Sequence, residues 1–161
     1  MSTKSFSNAQ ESRIAKYLGW NKVCASGARD FRPGDIESSD WLGECKTHTT
    51  PCHNIIFNQD VWNKISNEAI AVKRYPVLFA DDGSQTITRT WCMFPLNAIS
   101  DRNIITRKYP FSIRTNVVFN SDKLSSDLHQ TRLNEDINSI VVYRVPDGRG
   151  IIRLSDFADI I

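Results

Sequence analysis

The chain has 161 residues, 40% hydrophobic and 24% charged. These are the proportions of an ordinary globular protein, at a length that suits one domain with a normal core. Lys and Arg number 20 against 18 Asp and Glu, a net charge of only +2, so a polyanion would have to be held by local clustering of charge and not by a global field. No apolar run is long enough to span a bilayer, "MSTKSFSNAQES" has no secretory h-region, and Cys24, Cys45, Cys52 and Cys92 lack the spacing of a disulfide scaffold. The expectation is an intracellular, cytoplasmic protein without a membrane partner.

Residues 1–7 read as a short disordered lead. "SNAQESRIAKYLGW" predicts a helix capped by Ser7 or Asn8, with Glu11 in about the first turn, where an acid suits the dipole. Ile14, Tyr17 and Leu18 form its apolar stripe, and Gly19 ends it. "WNKVCAS" predicts a strand closed by Ser26-Gly27, and "ARDFRPG" a loop. "DIE", the turn "SSD" and "WLGECKTH" predict a hairpin; "TTPCHNIIF" reads as a connection. "NQDVWNKISNEAIAVKRY" predicts a helix capped by Asn58, with Val61, Ile65, Ala69 and Val72 on one face. "PVLFA" has the wholly apolar character of a central strand, "DDGSQ" is a turn, and "TITRTWCMFPL" a further strand.

In the last third, "RNIITRKYPFSIRTNVVFN" holds one or two strands and "SDKLSSDLHQTRL" a capped helix. "SIVVYRVPDGRGIIRL" is a hairpin around Pro146-Asp147-Gly148, and "SDFADII" a closing helical turn. The order predicts an α/β fold, a mixed central sheet flanked by helices. It forms a single domain over residues 1–161, with a core over about 8–95 and a C-terminal α+β extension over about 96–161.

The chemistry concentrates in "RPGDIESSDWLGECKTH". Strand side chains alternate, so Glu44 and Lys46 share one face and Cys45 points to the packed side. Asp35 begins the partner strand and can bring its carboxylate beside Glu44. Two carboxylates held together repel unless a cation lies between them. Mg²⁺ suits such a pair, because it takes a few carboxylate oxygens, keeps waters and completes its shell with phosphate. Lys46 can orient or deprotonate an attacking water. The set is what metal-assisted phosphodiester hydrolysis needs. The triplet alone is weak evidence, since a solvated strand face presents the same residues.

Asp35…Glu44-Cys45-Lys46 resembles the PD-(D/E)XK nuclease signature. Its surroundings, "ESRIAKYLGW…CASGARDFRPGDI…WLGECKTH…FNQDVWNKISNEA…YPVLFADD", resemble the archaeal-type Holliday junction resolvases over about residues 11–95. The resemblance implies a restriction-endonuclease-like core and a metal-dependent DNA endonuclease selective for DNA structure, using Mg²⁺ with Mn²⁺ able to substitute. It implies Asp35 and Glu44 as metal ligands, Glu11 as the first-helix acid and Lys46 as the catalytic lysine. Ser26 and Gly27 match the loop, and Gln59 falls where many members carry a glutamine near the site. It also implies branched or duplex DNA as partner and a homodimer. Gly34, not proline, directly precedes Asp35, and the resolvases are usually shorter. The alternatives are a catalytically inactive DNA-binding module on the same fold, or a sequence-specific restriction-type or repair nuclease. A small stand-alone nuclease of this kind suits a phage or mobile element.

Arg29 and Arg32 flank the Ser-Gly loop, where backbone phosphates would be held. Arg13, Lys16, Lys73 and Arg74 are further basic positions, and "RNIITRKYPFSIR" interleaves basic with aromatic residues as a second candidate DNA contact. Cys45, His48, Cys52 and His53 suggest zinc but lack the usual paired spacing. The four tryptophans fall in apolar-periodic segments and read as core, with Trp41 at the hairpin able to stay exposed. A dimer interface is available in "TWCMFPL" or in the extension beyond residue 96.

Overall fold

The computed structural model describes residues 3–23, 33–100 and 103–161. Its centre is an eight-stranded sheet of mixed direction. Strand β2 (Ile36–Glu37) pairs antiparallel with β1 (Asn21–Lys22) on one side and with β3 (Trp41–Lys46) on the other. Strand β5 (Tyr75–Asp81) lies parallel to β3, and β6 (Thr90–Pro95) antiparallel to β5. Strands β7 (Ile104–Lys108), β10 (Ile140–Arg144) and β11 (Arg149–Arg153) complete it, in the order β1-β2-β3-β5-β6-β11-β10-β7. A second sheet has the order β4 (Asn54–Phe57), β9 (Val117–Asn120), β8 (Ser112–Ile113).

Helices cover both faces. Helices α1 (Thr3–Leu18) and α4 (Leu154–Ile160) lie on one side. There Ile14, Trp41, Cys45, Phe79, Phe94 and Phe157 form one buried cluster. Phe157 packs edge-on against Trp41, with ring centroids 5.1 Å apart. Helices α2 (Gln59–Ala71) and α3 (Ser121–Asn134) and the small sheet lie on the other side, where Leu42, Leu78 and Met93 meet Phe57, Ile65 and Leu124. Alternation along β3 therefore sends Trp41 and Cys45 to the α1 side, and Leu42, Glu44 and Lys46 to the α2 side.

The residues after 95 complete the main sheet through β11 paired to β6, so the α+β extension is continuous with the core and not an appendage to it. Strand β6 lies inside the sheet with Thr90 through Phe94 buried. This removes "TWCMFPL" as a dimer interface. Three further expectations are corrected. Helix α1 begins at Thr3, not at a Ser7 or Asn8 cap; its Ser and Asn side chains lie in a run where propensity differences of a few tenths of a kcal/mol cannot stop a helix. "TTPCHNIIF" contains a strand, because Ile55 and Phe57 bury against the core while Asn54 and Ile56 stay exposed. Trp41 is buried, because the closing helix covers it. The expected Asn58 cap of α2 is present and accepts the Val61 N–H at 3.1 Å. No described helix is long and apolar enough to cross a membrane.

Candidate active site

Asp35 is fixed at three points. Its N–H donates to the Gly43 carbonyl at 2.8 Å, its carbonyl accepts from Val23 at 2.8 Å, and its Oδ2 accepts from the Cys45 N–H at 2.9 Å. The residue before it, Gly34, has φ +78°, and a Cβ there would lie 2.8 Å from Leu42 Cδ1. Proline, locked near φ −65°, cannot adopt that turn, which explains the glycine at this position. Burial and then the Glu44 charge push the Asp35 carboxyl up to about 6, against the opposing pull of the Cys45 N–H.

Glu44 is mostly buried, and its Oε1 lies 3.2 Å from Lys46 Nζ, whose side chain is half-exposed. Glu11 approaches from α1. Burial raises its carboxyl, the nearby Lys22 lowers it, and Glu44 raises it again. Lys22 Nζ lies 3.7 Å from Glu11 Oε2 and donates to Ser12 Oγ at 3.0 Å. The structure thus brings Glu11, Asp35, Glu44 and Lys46 into one electrostatically coupled group, to which Lys22 also belongs.

Two positions are new relative to the sequence reading. Gln10, fully buried, donates from Nε2 to the Lys46 carbonyl at 2.6 Å and so ties α1 to the end of β3. Asp81, at the end of β5, accepts from Arg13 Nη2 at 3.2 Å, from Thr47 Oγ1 at 2.5 Å and from the Gly83 N–H at 2.8 Å. Arg13 is therefore held by an acid and is not free for phosphate. Arg74 is likewise paired, with Glu37 at 2.6 Å.

Gln59 does not join the acids. Its Oε1 accepts from Arg149 at 3.2 Å and its Nε2 donates to Asn63 at 2.9 Å, because the start of α2 faces the β10–β11 turn. Ser26, Gly27, Arg29 and Arg32 lie outside the described residues. Of the four residues that suggested zinc, Cys45 is buried in the core and His53 Nδ1 pairs with Asp122 at 2.6 Å.

Among the described residues, no three His, Cys, Asp or Glu side chains converge into a ready-made metal cage. A hard divalent cation needs less than that. Mg²⁺ is commonly held by one or two carboxylates plus waters and substrate phosphate, and a buried Asp35 carboxyl whose proton affinity is raised by the neighbouring Glu44 charge fits that donor chemistry. No protein-family model, curated protein or solved structure matches the chain.

Proposed function

We propose that the chain is a metal-dependent DNA endonuclease hydrolysing phosphodiester bonds, acting on branched DNA in the manner of the junction resolvases its sequence resembles. The observation that supports this reading is the Asp35 carboxyl, pushed up to about 6 by burial and by Glu44, with Lys46 3.2 Å from Glu44. Asp35 and Glu44 would hold Mg²⁺ or Mn²⁺. The bound cation supplies neutralisation of the phosphate and a more acidic water.

The chain's own groups do the rest. Cys45 N–H orients Asp35. Lys46 Nζ, half-exposed beside Glu44, orients the attacking water and offsets charge developing on the phosphate. Glu11 and Lys22 set the field at the edge of the group. Because a single chain carries one such site, paired cuts in a two-fold substrate call for a two-fold dimer, which belongs to the same proposal.

The test is incubation of the protein with branched, single-stranded and linear duplex DNA in Mg²⁺, Mn²⁺ or EDTA. Metal-dependent product, greatest on the branched form, is expected. Tight binding with no product on any form would establish the inactive-module alternative instead.

A further inference from the structure

A cavity of about 410 Å³ opens between the end of β11 and the start of α3, lined by Thr88, Arg89, Trp91, Ser121, Ser125 and Arg153, together with Asp122 and Ser126. Arg153 is the unusual member. Its guanidinium lies over the Trp91 ring at 5.5 Å, its Nε is buried without a partner, and no acid is within ion-pair distance of it among the described residues. The nearest acid by influence, Asp156, is bonded to Arg132 at 2.6 Å. Burial holds the Arg153 pKa below the ordinary arginine value.

A second unpartnered group lines the same cavity. Ser121, 3% exposed at the first turn of α3, has a hydroxyl with no hydrogen-bond partner. The other charges there are already matched: Arg89 pairs with Asp82 and Asp122, and Asp122 with His53. A partly buried cation with no ion-pair partner among the described residues, offset only at a distance by Asp156, in the same cavity as an unused hydroxyl is a costly arrangement, and an anion relieves it.

The position of the cavity gives the anion a role. Lys46 pairs with Ala80, Ala80 with Trp91, and Trp91 with Arg153 across four adjacent strands. Registered partners point to the same face, so Lys46 and Arg153 share a face about 14 Å apart at the usual strand spacing. We infer that Arg153 and Ser121 form a phosphate-binding site, and that it takes a backbone phosphate of the DNA whose scissile phosphate lies at Lys46. The placement on DNA rests on the nuclease reading; the phosphate chemistry does not.

The test has two arms. In the first, inorganic phosphate is titrated into metal-free protein at constant ionic strength, with chloride as control, while the Arg153 Nε–Hε NMR resonance is followed. A saturable shift with phosphate alone is expected, weakened at least several-fold in Ser121→Ala. No shift, or the same shift with chloride, overturns the site. In the second arm, DNA binding without cleavage is measured against salt for wild type and Arg153→Gln. The variant should bind about tenfold more weakly and lose about 0.9 from the slope of log K on log salt, one phosphate contact. Arg153→Lys, which keeps the charge, should recover the slope and serves as the control for folding. Equal affinity and slope in Arg153→Gln overturn the placement on DNA. A phosphate shift in a protein that binds no DNA would sink the nuclease reading and leave the anion site standing; DNA cleavage without a phosphate shift would do the reverse.

Discussion

The Asp35 carboxylate accepts a hydrogen bond from the Cys45 N–H at 2.9 Å, the residue between Glu44 and Lys46. One backbone donor thereby registers the acid just before β2 against the acid and the lysine of β3. The strand pairing fixes the site geometry, and the side-chain bond fixes the rotamer. Asp35→Asn retains an acceptor for this bond and removes only the charge. It should fold as wild type by circular dichroism and lose metal-dependent cleavage.

The raised Asp35 carboxyl has a consequence for stability. The folded metal-free protein keeps this proton up to about pH 6, whereas the unfolded chain loses it near the ordinary 3.8. Unfolding therefore releases a proton between those values, and stability falls as pH rises through that window. The loss is about 2 kcal/mol once solvent screening is allowed for, is complete just above pH 6, and is absent in Asp35→Asn. Thermal melts from pH 4 to 8 check the sign. A wild-type profile parallel to that of Asp35→Asn would contradict it.

Metal binding must compete with the same proton. Mn²⁺ affinity should weaken by about tenfold per pH unit below about pH 6 and level off above it. Calorimetric titrations at pH 5, 6 and 7 read this directly, and a pH-independent affinity would remove Asp35 from the ligand set.

Gln10→Ala removes the 2.6 Å bond to the Lys46 carbonyl and leaves that part-buried acceptor without this donor. A loss of about 1–3 kcal/mol in denaturant unfolding is expected. Cleavage should slow through kcat more than through KM, since Gln10 positions Lys46 and does not touch substrate.

Gly34→Pro, which would place a proline directly before the aspartate, should destabilise the protein by about 2 kcal/mol or more, because φ +78° is closed to proline. Gly34→Ala should be destabilising too, through the contact with Leu42. A neutral Gly34→Pro would mean that the turn before β2 differs from the one described.

Much of this was legible in the chain because it is local. The hairpin of β2 and β3 follows from period-two alternation around "SSD", and α2 from its Asn58 cap and apolar stripe. What the sequence hid is long-range. Strand β4 pairs with β9 some sixty residues later, so its four alternating residues carry no local sign of a partner. Strand β6 could be offered as a dimer interface because its neighbour β11 lies near the end of the chain. Within the candidate site, Asp35, Glu44 and Lys46 were singled out by strand alternation together with the resemblance to the nuclease signature. Gln10 was not, because a glutamine in a helix becomes structural only when another element presents a carbonyl to it. Gln59 matched by position, yet the β10–β11 turn captures it through Arg149.

The central claim is tested most directly by single-turnover cleavage of an end-labelled four-way junction in Mg²⁺, comparing wild type with Asp35→Asn, Glu44→Gln and Lys46→Gln at protein concentrations that saturate binding. Wild type should cut and stop cutting in EDTA. The two acid variants should bind the junction and yield no product, and Lys46→Gln should be slower by about 10²-fold or more. Junction cleavage by Asp35→Asn and Glu44→Gln at the wild-type rate would contradict the assignment of this site.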